Sequence, residues 1–226
     1  MLEKDPEKRI TADKCAEHPW FKINHQQDLG EKDKKRVLQR IREFRLPQRL
    51  QTETLIFLVN SMEKTQELDF EMLKNAFREL DTDNSGTLSM SEIKTAMLEM
   101  KIPQAELEQI FKNVDFNHDG EINYTEFLAV TVDRRKALQH ANLMFAFHHF
   151  DSDNSGYITA ENLKECFRRE GKHLSEEEIK AMMSEVQHAQ EDKISLQEFE
   201  SYMREIMFSS EPNSSTSVGS PDRRMK

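Results

Sequence analysis

Between residue 31 and about residue 207, apolar residues recur every three or four positions, in short runs separated by polar and acidic loops. This spacing places the apolar side chains on one face of an α-helix. One run leads up to position 81 and another follows position 92. These runs are Phe70, Leu73, Phe77 and Leu80, and then Ile93, Met97 and Met100. The pattern predicts an all-α fold built from helix–loop–helix units.

The segment 31–62, which we call the junction, is basic as well as amphipathic. Val37, Ile41 and Phe44 share one face of a helix, and Lys and Arg residues cover the other faces. Pro47 predicts a break before a second apolar helix, because it lacks a backbone N–H and disfavours a helical residue before it. Such a segment is typical of a membrane-surface helix or of the target of a calmodulin-like lobe. The acidic chain that follows favours the second interpretation, and a plain scaffold helix is a further alternative.

Residues 81–92, DTDNSGTLSMSE, have the spacing of an EF-hand calcium loop, and we call them loop 1. A hard cation such as Ca2+ takes roughly six to eight oxygen ligands, from side chains at alternate positions, a backbone carbonyl at position 7 and a bidentate Glu at position 12. Gly86 at position 6 permits the sharp turn in the middle of the loop. The predicted ligands are Asp81, Asp83, Ser85, Thr87 and Glu92.

The same spacing returns 34 and then a further 36 residues along the chain, as expected of an internal repeat. Loop 2, DFNHDGEINYTE, places polar ligands at positions 1, 3, 5 and 12, which are Asp115, Asn117, Asp119 and Glu126. Loop 3, DSDNSGYITAEN, places them at positions 1, 3 and 5, which are Asp151, Asp153 and Ser155. An apolar residue at position 8 predicts a short antiparallel strand contact between the loops of each pair, Leu88 with Ile122 and Ile158 with Ile194.

Loop 3 departs from the pattern at position 12, where Asn162 replaces the bidentate Glu. Asn is neutral and offers one oxygen, and Glu161 lies one residue early, on another side of the helix. We therefore predict that loop 3 binds Ca2+ weakly, or admits Mg2+, which needs fewer ligands.

A fourth loop, QHAQEDKISLQE, begins another 36 residues on. Gln187 at position 1 is neutral, Ala189 at position 3 has no side-chain oxygen, and Asp192 replaces the glycine. Position 8 still carries an apolar residue. We predict that loop 4 packs as a hand but does not bind Ca2+.

The net charge of −10 is unevenly distributed. Residues 31–50 hold eight Lys or Arg against three acids, and residues 1–30 carry −1, which leaves −14 on residues 51–226. An acidic body repels phosphates, so nucleic acid is not an expected partner. No apolar run approaches the length of about 18 residues that a membrane span needs, so membrane contact is not indicated either.

The sequence has two cysteines, Cys15 and Cys166, which are far apart and lack metal-type spacing. The first residues also lack the apolar stretch of a secretory signal. These features predict a reduced, cytoplasmic setting, and we interpret both cysteines as packing residues. Residues 208–226 are rich in Ser and Asn without apolar periodicity, which predicts a disordered tail.

Residues 1–22 resemble the last segment of a protein kinase catalytic domain, although a short N-terminal helix is an alternative interpretation. The match rests on a DP-x-x-R-I-T-A run at Asp5–Ala12 and on HPWF at His18–Phe21. The sequence shows no glycine-rich phosphate loop, V-A-I-K lysine, H-R-D catalytic loop or D-F-G metal site. The chain is therefore not expected to be an enzyme by itself, because phosphoryl transfer needs those groups.

Kinase tail, basic junction and EF-hand repeats in this order resemble the C-terminal regulatory part of a calcium-dependent protein kinase of the plant and protist type. The resemblance implies that the junction restrains the kinase catalytic domain at rest, and that Ca2+ makes the two-lobed domain grip the junction and release the active site. It implies a backbone carbonyl ligand at position 7 of each loop, from Glu121 and Tyr157 as well as from Thr87. The implied segments are a kinase remnant 1–22, the junction 31–62, EF-hand pairs 63–134 and 137–207, and the tail 208–226.

Two further hypotheses are compatible with the sequence. The chain could be a stand-alone calmodulin-like sensor or buffer that acts on another protein. Alternatively, it could belong to a working kinase, which would require further sequence upstream of Met1.

Overall fold

The computed structural model describes residues 30–63, 70–187 and 192–208. The segment 1–22 lies outside these residues, as do positions 209–226 of the predicted tail. Within the described residues the chain is helical apart from two pairs of short strands, which confirms the predicted all-α fold. None of the helices in this part of the chain is long and apolar enough to span a bilayer.

The junction folds into helix α1, Glu31–Glu43, and helix α2, Arg49–Met62. The break between them contains Pro47, as its missing N–H predicts. Helix α2 begins with a capping box in which the Gln51 side chain accepts a hydrogen bond from the Gln48 N–H at 3.2 Å. The apolar face predicted for the first helix is buried, and it comprises Val37, Leu38, Ile41 and Phe44.

The first EF-hand pair consists of helices joined by loops 1 and 2. Its helices are α3 Phe70–Leu80, α4 Met90–Ala96, α5 Gln104–Val114 and α6 Tyr124–Thr131, and its strands are β1 Thr87–Leu88 and β2 Ile122–Asn123. A turn of 3₁₀ helix, Leu98–Met100, follows α4. Leu88 lies opposite Ile122 in an antiparallel ladder, as the apolar residues at position 8 predict. Backbone hydrogen bonds therefore join the two loops directly.

The second EF-hand pair repeats this arrangement with loops 3 and 4. After a connecting helix α7 Arg134–Ala137, its elements are α8 His140–Phe150, β3 Tyr157–Thr159, α9 Ala160–Arg169, α10 Glu176–Ser184, β4 Lys193–Ser195 and α11 Leu196–Phe208. Ile158 lies opposite Ile194. This pairing confirms that loop 4 packs as a hand.

The junction helices lie at the centre of the molecule. Helix α1 packs against α3, α5 and α6 of the first pair, whereas α2 contacts α6 and also α8 and α11 of the second pair. Each fully buried Leu contributes roughly 1.5–3 kcal/mol relative to an exposed one. The apolar side chains of α2 that are completely removed from water are Leu50, Leu55, Leu58 and Val59. The junction is thus a shared part of the hydrophobic core of both EF-hand pairs.

Candidate calcium centres

Loop 1 brings three carboxylates together. One oxygen each of Asp81, Asp83 and Glu92 lies within 4.8 Å of the others. Gly86, with φ of 86°, turns the backbone so that its N–H donates to Asp81 Oδ2 at 3.0 Å. Carboxylates this close repel one another, and a hard divalent cation bound between them would remove that repulsion.

The carboxylate at position 12 of loop 1 is held by the helix cap of α4. Glu92 Oε2 accepts from Ser89 N at 2.9 Å, and Glu92 Oε1 accepts from Thr82 N at 2.7 Å. Burial raises the pKa of Glu92, but the hydrogen bonds from Ser89 and Thr82 outweigh it and lower the pKa to about 2. Both oxygens of Glu92 are therefore ionised and oriented, as bidentate binding requires.

Loop 2 buries a carboxylate oxygen that finds no hydrogen-bond partner within the described residues, Asp115 Oδ1. The other oxygen, Oδ2, accepts from Gly120 N at 3.0 Å. Glu126 Oε1 accepts from Phe116 N at 2.9 Å and from Asn117 N at 3.1 Å. Burial raises the pKa of Glu126, backbone hydrogen bonds from Asn123, Asn117 and Phe116 lower it, and the Asp115 carboxylate raises it again, so the net pKa is raised. A buried, unpartnered oxygen beside a second carboxylate is a place that fits a cation.

The intermediate positions of loop 2 connect it to loop 1. Asp119 N donates to Asn117 Oδ1 at 3.0 Å, and Glu121 N donates to Asp119 Oδ1 at 2.9 Å. The Glu121 side chain turns away and accepts from Thr87 Oγ1 at 2.6 Å. The carboxylate of Glu121 is thus engaged by loop 1, which fits the prediction that its backbone carbonyl, rather than its side chain, would serve the ion.

The first half of loop 3 repeats the geometry of loop 1. Asp151 is buried, with Oδ1 accepting from Ser155 N at 3.0 Å and Oδ2 from Gly156 N at 2.9 Å. Asp153 Oδ1 accepts from the same Ser155 N at 3.2 Å. The Ser155 hydroxyl donates to the Tyr157 carbonyl at 3.2 Å. The predicted oxygens at positions 1, 3, 5 and 7 are therefore grouped as in loop 1.

The end of loop 3 differs from that of loop 1 because Asn162 has a single oxygen. Asn162 Oδ1 accepts from Thr159 N at 3.0 Å and from Thr159 Oγ1 at 2.8 Å, so the cap of α9 uses it. The amide Nδ2 lies 3.5 Å from Ser152 Oγ, where Glu92 in loop 1 presents Oε1. Glu161 is exposed. Asn162 therefore presents an amide N–H group in place of the second carboxylate oxygen, which supports weaker calcium binding.

Loop 4 is described only in part, because residues 188–191, including Ala189, lie outside the described residues. Asp192 at position 6 has φ of 62°, in the left-handed region that glycine occupies in the other loops. Glu198 Oε2 accepts from Ser195 N at 2.8 Å, so it caps α11 as Glu92 caps α4. The turn and the cap of a hand are kept. The absence of calcium binding at loop 4 stays a prediction, as do the ligand assignments in loops 1 to 3.

The first pair holds α1 by polar contacts as well as by burial. Arg40 donates to the Thr131 carbonyl and lies 3.7 Å from the Asp133 carboxylate. Arg42 Nε donates to Glu106 Oε1 at 3.0 Å. The basic residues of the junction thus meet acidic groups of the first pair. Such partly exposed ion pairs contribute about 0–1 kcal/mol each, so they orient α1 more than they stabilise it.

The second pair holds the start of α2 through Glu185. Its Oε1 accepts from Arg49 N at 3.1 Å, and its Oε2 accepts from Leu50 N at 2.9 Å. Tyr202 donates its hydroxyl to the same Oε2 at 2.6 Å, while Gln51 Nε2 donates to the Tyr202 carbonyl at 2.8 Å. The carboxylate therefore satisfies N–H groups that every helix leaves free at its start. The sequence around these residues gives no sign of their role, because the contact joins positions 135 residues apart.

Helix–loop–helix units in two pairs, with paired loops and converging carboxylates, define an EF-hand calcium-binding protein. The EF-hand domain pair family matches residues 70–132 and 141–204, which together make up more than half of the chain. The chain belongs to this family.

The chain is also similar to curated calcium-dependent protein kinases of plants. It is 34% identical over 206 residues to calcium-dependent protein kinase 21 of Arabidopsis thaliana, and 33% identical over 206 residues to calcium-dependent protein kinase 19 of Oryza sativa subsp. japonica. Calcium-dependent protein kinase 9 of Arabidopsis thaliana is 33% identical over 210 residues. Each match covers 90% of this chain but only 37–38% of the relative, in its C-terminal part. These matches confirm the resemblance to the C-terminal part of such kinases.

Proposed function

We propose that the chain is the calcium-sensing regulatory part of a calcium-dependent serine/threonine kinase. Loops 1 and 2 bind Ca2+ strongly, and loop 3 binds Ca2+ weakly or admits Mg2+. With Ca2+ bound, both EF-hand pairs hold the junction, 31–62. Without Ca2+ the EF-hand pairs bind the junction more weakly, and the junction is then available to restrain the kinase catalytic domain.

The observation that carries this proposal is the burial of the junction in both pairs. Phe44, directly after the first junction helix, and Leu50 of the second are almost completely removed from water, although they lie in a segment that is basic overall. The same apolar faces cannot contact a kinase domain while the EF-hand pairs cover them. Capture by the EF-hand pairs and restraint of the kinase domain are therefore mutually exclusive states of one segment.

Calcium can favour capture only by binding that state more tightly. The carboxylates in loops 1 and 2 are oriented by hydrogen bonds and include Asp115 Oδ1, which has no hydrogen-bond partner among the residues that the structure describes. An ion that satisfies them stabilises the loops in this geometry, and EF-hand sensors respond by opening helix pairs around an apolar groove. Because the junction is covalently attached to the EF-hand pairs, its capture is intramolecular and independent of protein concentration.

The proposal is tested by calcium titration calorimetry on the chain and on two junction variants. Leu50→Asp places a charge in the buried start of α2, beside Glu185. Leu46→Asp makes the same change at a junction residue that is 46% exposed, and it serves as the matched control. Binding of the junction and of Ca2+ must strengthen each other reciprocally if they are coupled.

We expect Leu50→Asp to bind Ca2+ at least about tenfold more weakly than the unchanged chain, with Leu46→Asp unchanged; the tenfold loss corresponds to about 1.4 kcal/mol of coupling. Circular dichroism establishes that the helices remain formed in both variants. Identical calcium affinities in all three proteins would contradict capture of the junction, and would leave a calcium buffer or a sensor whose target lies on another molecule.

A further inference from the structure

Outside the calcium loops, three side chains with different ligand atoms converge beside the third hand. His149 Nε2 lies 3.2 Å from Cys166 Sγ and 3.0 Å from Glu170 Oε1. The ligand atoms of all three residues lie within 4.8 Å of one another. His149 comes from α8, while Cys166 and Glu170 are four residues apart on one face at the end of α9.

Hydrogen bonding can give Nε2 of His149 only one strong contact at a time in this cluster. The Nε2 atom carries either one proton or a lone pair. With a proton it donates to the Glu170 carboxylate, and then it cannot accept from the Cys166 thiol. With a lone pair it accepts from the thiol, and then it faces the lone pairs of the carboxylate at 3.0 Å. A cation among the three atoms would make all the contacts favourable at once.

The donor set fits a borderline-soft divalent metal. Zinc binds imidazole nitrogen, thiolate sulfur and carboxylate oxygen at about 2.0–2.3 Å in tetrahedral geometry, which places ligand atoms about 3.5 Å apart. The distances from His149 Nε2 to Sγ and to Oε1 need to grow by only a few tenths of an ångström. Solvent reaches the site from the side of His149 and Glu170, which are each about one-third exposed, so water can supply a fourth ligand.

Neighbouring groups orient two of the three ligands. The Phe57 ring of α2 stacks on the imidazole of His149 with centroids 3.9 Å apart. Lys172 Nζ lies 3.9 Å from Glu170 Oε2, the oxygen that does not face His149, and 2.5 Å from Glu53 Oε2 of α2. These contacts limit the orientations of the imidazole and of the carboxylate, which is the role that hydrogen-bonded outer groups have in metal sites.

We propose that His149, Cys166 and Glu170 form a binding site for a transition metal of the zinc type, separate from the calcium loops. On binding, the S–H bond of Cys166 breaks, its proton passes to solvent, and the sulfur donates an electron pair to the metal. Burial raises the pKa of Cys166 to about 11, and the Glu170 carboxylate adds to this effect. The inference does not rest on the proposed regulatory function.

The bound metal would join α8 to α9, the helices that enter and leave loop 3. It would fix the angle between these helices by a means other than calcium, in the hand whose calcium loop lacks the bidentate Glu. Because the ring of Phe57 stacks on His149, the bound metal would also stabilise the contact between the third hand and α2 of the junction.

The test is a titration of the full chain with Co2+, with Ca2+ saturating so that the oxygen-rich loops are filled. Cobalt bound to a thiolate gives a charge-transfer absorption in the near ultraviolet, which oxygen ligands do not produce. We expect one equivalent of Co2+ to give this band, and one equivalent of Zn2+ to abolish it by displacement. The band should disappear in Cys166→Ser and persist in Cys15→Ser, which changes the other cysteine of the sequence.

A second pair of variants tests whether the imidazole of His149 binds the metal. His149→Gln is expected to weaken Co2+ binding at least about tenfold, whereas His148→Gln, at the exposed neighbouring position on α8, leaves it unchanged. Glu170→Gln, at a partly exposed position, is expected to weaken Co2+ binding as well. It takes the place of Cys166→Ser in the test if Cys166→Ser does not fold. Absence of the band in the unchanged chain, its survival in Cys166→Ser, or equal affinity in His149→Gln would each overturn the proposal.

Discussion

The carboxylate of Glu185, in the second EF-hand pair, accepts a hydrogen bond from the backbone N–H of Leu50 in the junction at 2.9 Å. It accepts a second from the N–H of Arg49. Because the first N–H groups of a helix have no partner within the helix, an anion at that point satisfies them and interacts favourably with the helix dipole. The second pair therefore recognises the backbone of α2, as well as its apolar side chains.

Glu185→Ala is expected to lower the free energy of unfolding by about 1–2 kcal/mol, since Arg49 N, Leu50 N and the Tyr202 hydroxyl all lose their acceptor. Urea denaturation in the presence of Ca2+ measures the loss. Glu177→Ala removes the same side chain from an exposed position on α10 and should change stability by less than about 0.5 kcal/mol. Equal stabilities of the two variants would show that the contact with α2 contributes nothing.

Asn162→Glu is expected to convert loop 3 into a stronger calcium site. The new carboxylate keeps an oxygen for the Thr159 cap and presents a second oxygen where Asn162 now presents its amide nitrogen. Calorimetry should show the third Ca2+ binding at least about tenfold more tightly. Asn162→Gln has the length of Glu without its charge and is the matched control. An unchanged number and affinity of bound ions in Asn162→Glu would remove the explanation for a weak third site.

Asp115→Asn is expected to have opposite effects in the absence and presence of calcium. Without Ca2+, the amide replaces a buried oxygen that has no partner in the described part of the chain, and it removes repulsion with Glu126. The calcium-free chain should become about 1 kcal/mol more stable. Loop 2 should at the same time lose its ion, so that added Ca2+ raises the melting temperature less than in the unchanged chain.

Asp119→Asn is the control for that experiment, because Asp119 is exposed and its removal leaves the buried pair of carboxylates in place. It should not stabilise the calcium-free chain. A calcium-free Asp115→Asn protein that is less stable than the unchanged chain would show that the buried carboxylate pair is not strained.

Gly86→Ala is expected to destabilise the first pair through the backbone alone. Gly86 has φ of +86°, yet an added Cβ would meet nothing within 4 Å, so the cost is conformational and about 1–2 kcal/mol. Gly30→Ala, at a glycine with φ of −57°, should cost less than about half of that. Thermal unfolding of both variants without Ca2+ makes the comparison. Equal losses of stability in the two variants would show that the positive φ at Gly86 is not the reason for a glycine at position 6.

Local spacing predicts the elements of the fold well. Pro47 marks the break between α1 and α2, and Leu88 and Ile122 mark the strands that pair the loops, because each effect depends on residues close together in sequence. The convergence of Asp81, Asp83 and Glu92 follows from one loop of twelve residues. The departure at Asn162 could be recognised for the same reason.

Contacts between distant segments could not be predicted in this way. Glu185 is an ordinary acidic residue in sequence, and only the packing of the second pair on α2 gives it a helix terminus to bind. Cys166 and Glu170 share a helix face that the sequence shows, but the position of His149 beside them depends on how α8 packs on α9. Cys166 is only 2% exposed, as the interpretation as a packing residue requires, yet its sulfur also faces a ring nitrogen.

Helix α2 has a different partner at each end. Glu185 holds its first residues, and near its last turn Asn60 accepts a hydrogen bond at 3.4 Å from Thr125 of α6. Leu55 and Leu58 between them are buried. If either EF-hand pair unfolded alone, α2 would lose its contacts with that pair, and these apolar side chains would become exposed to water. With Ca2+ bound, the two pairs should therefore melt together, in a single cooperative transition, rather than as two independent domains on a linker.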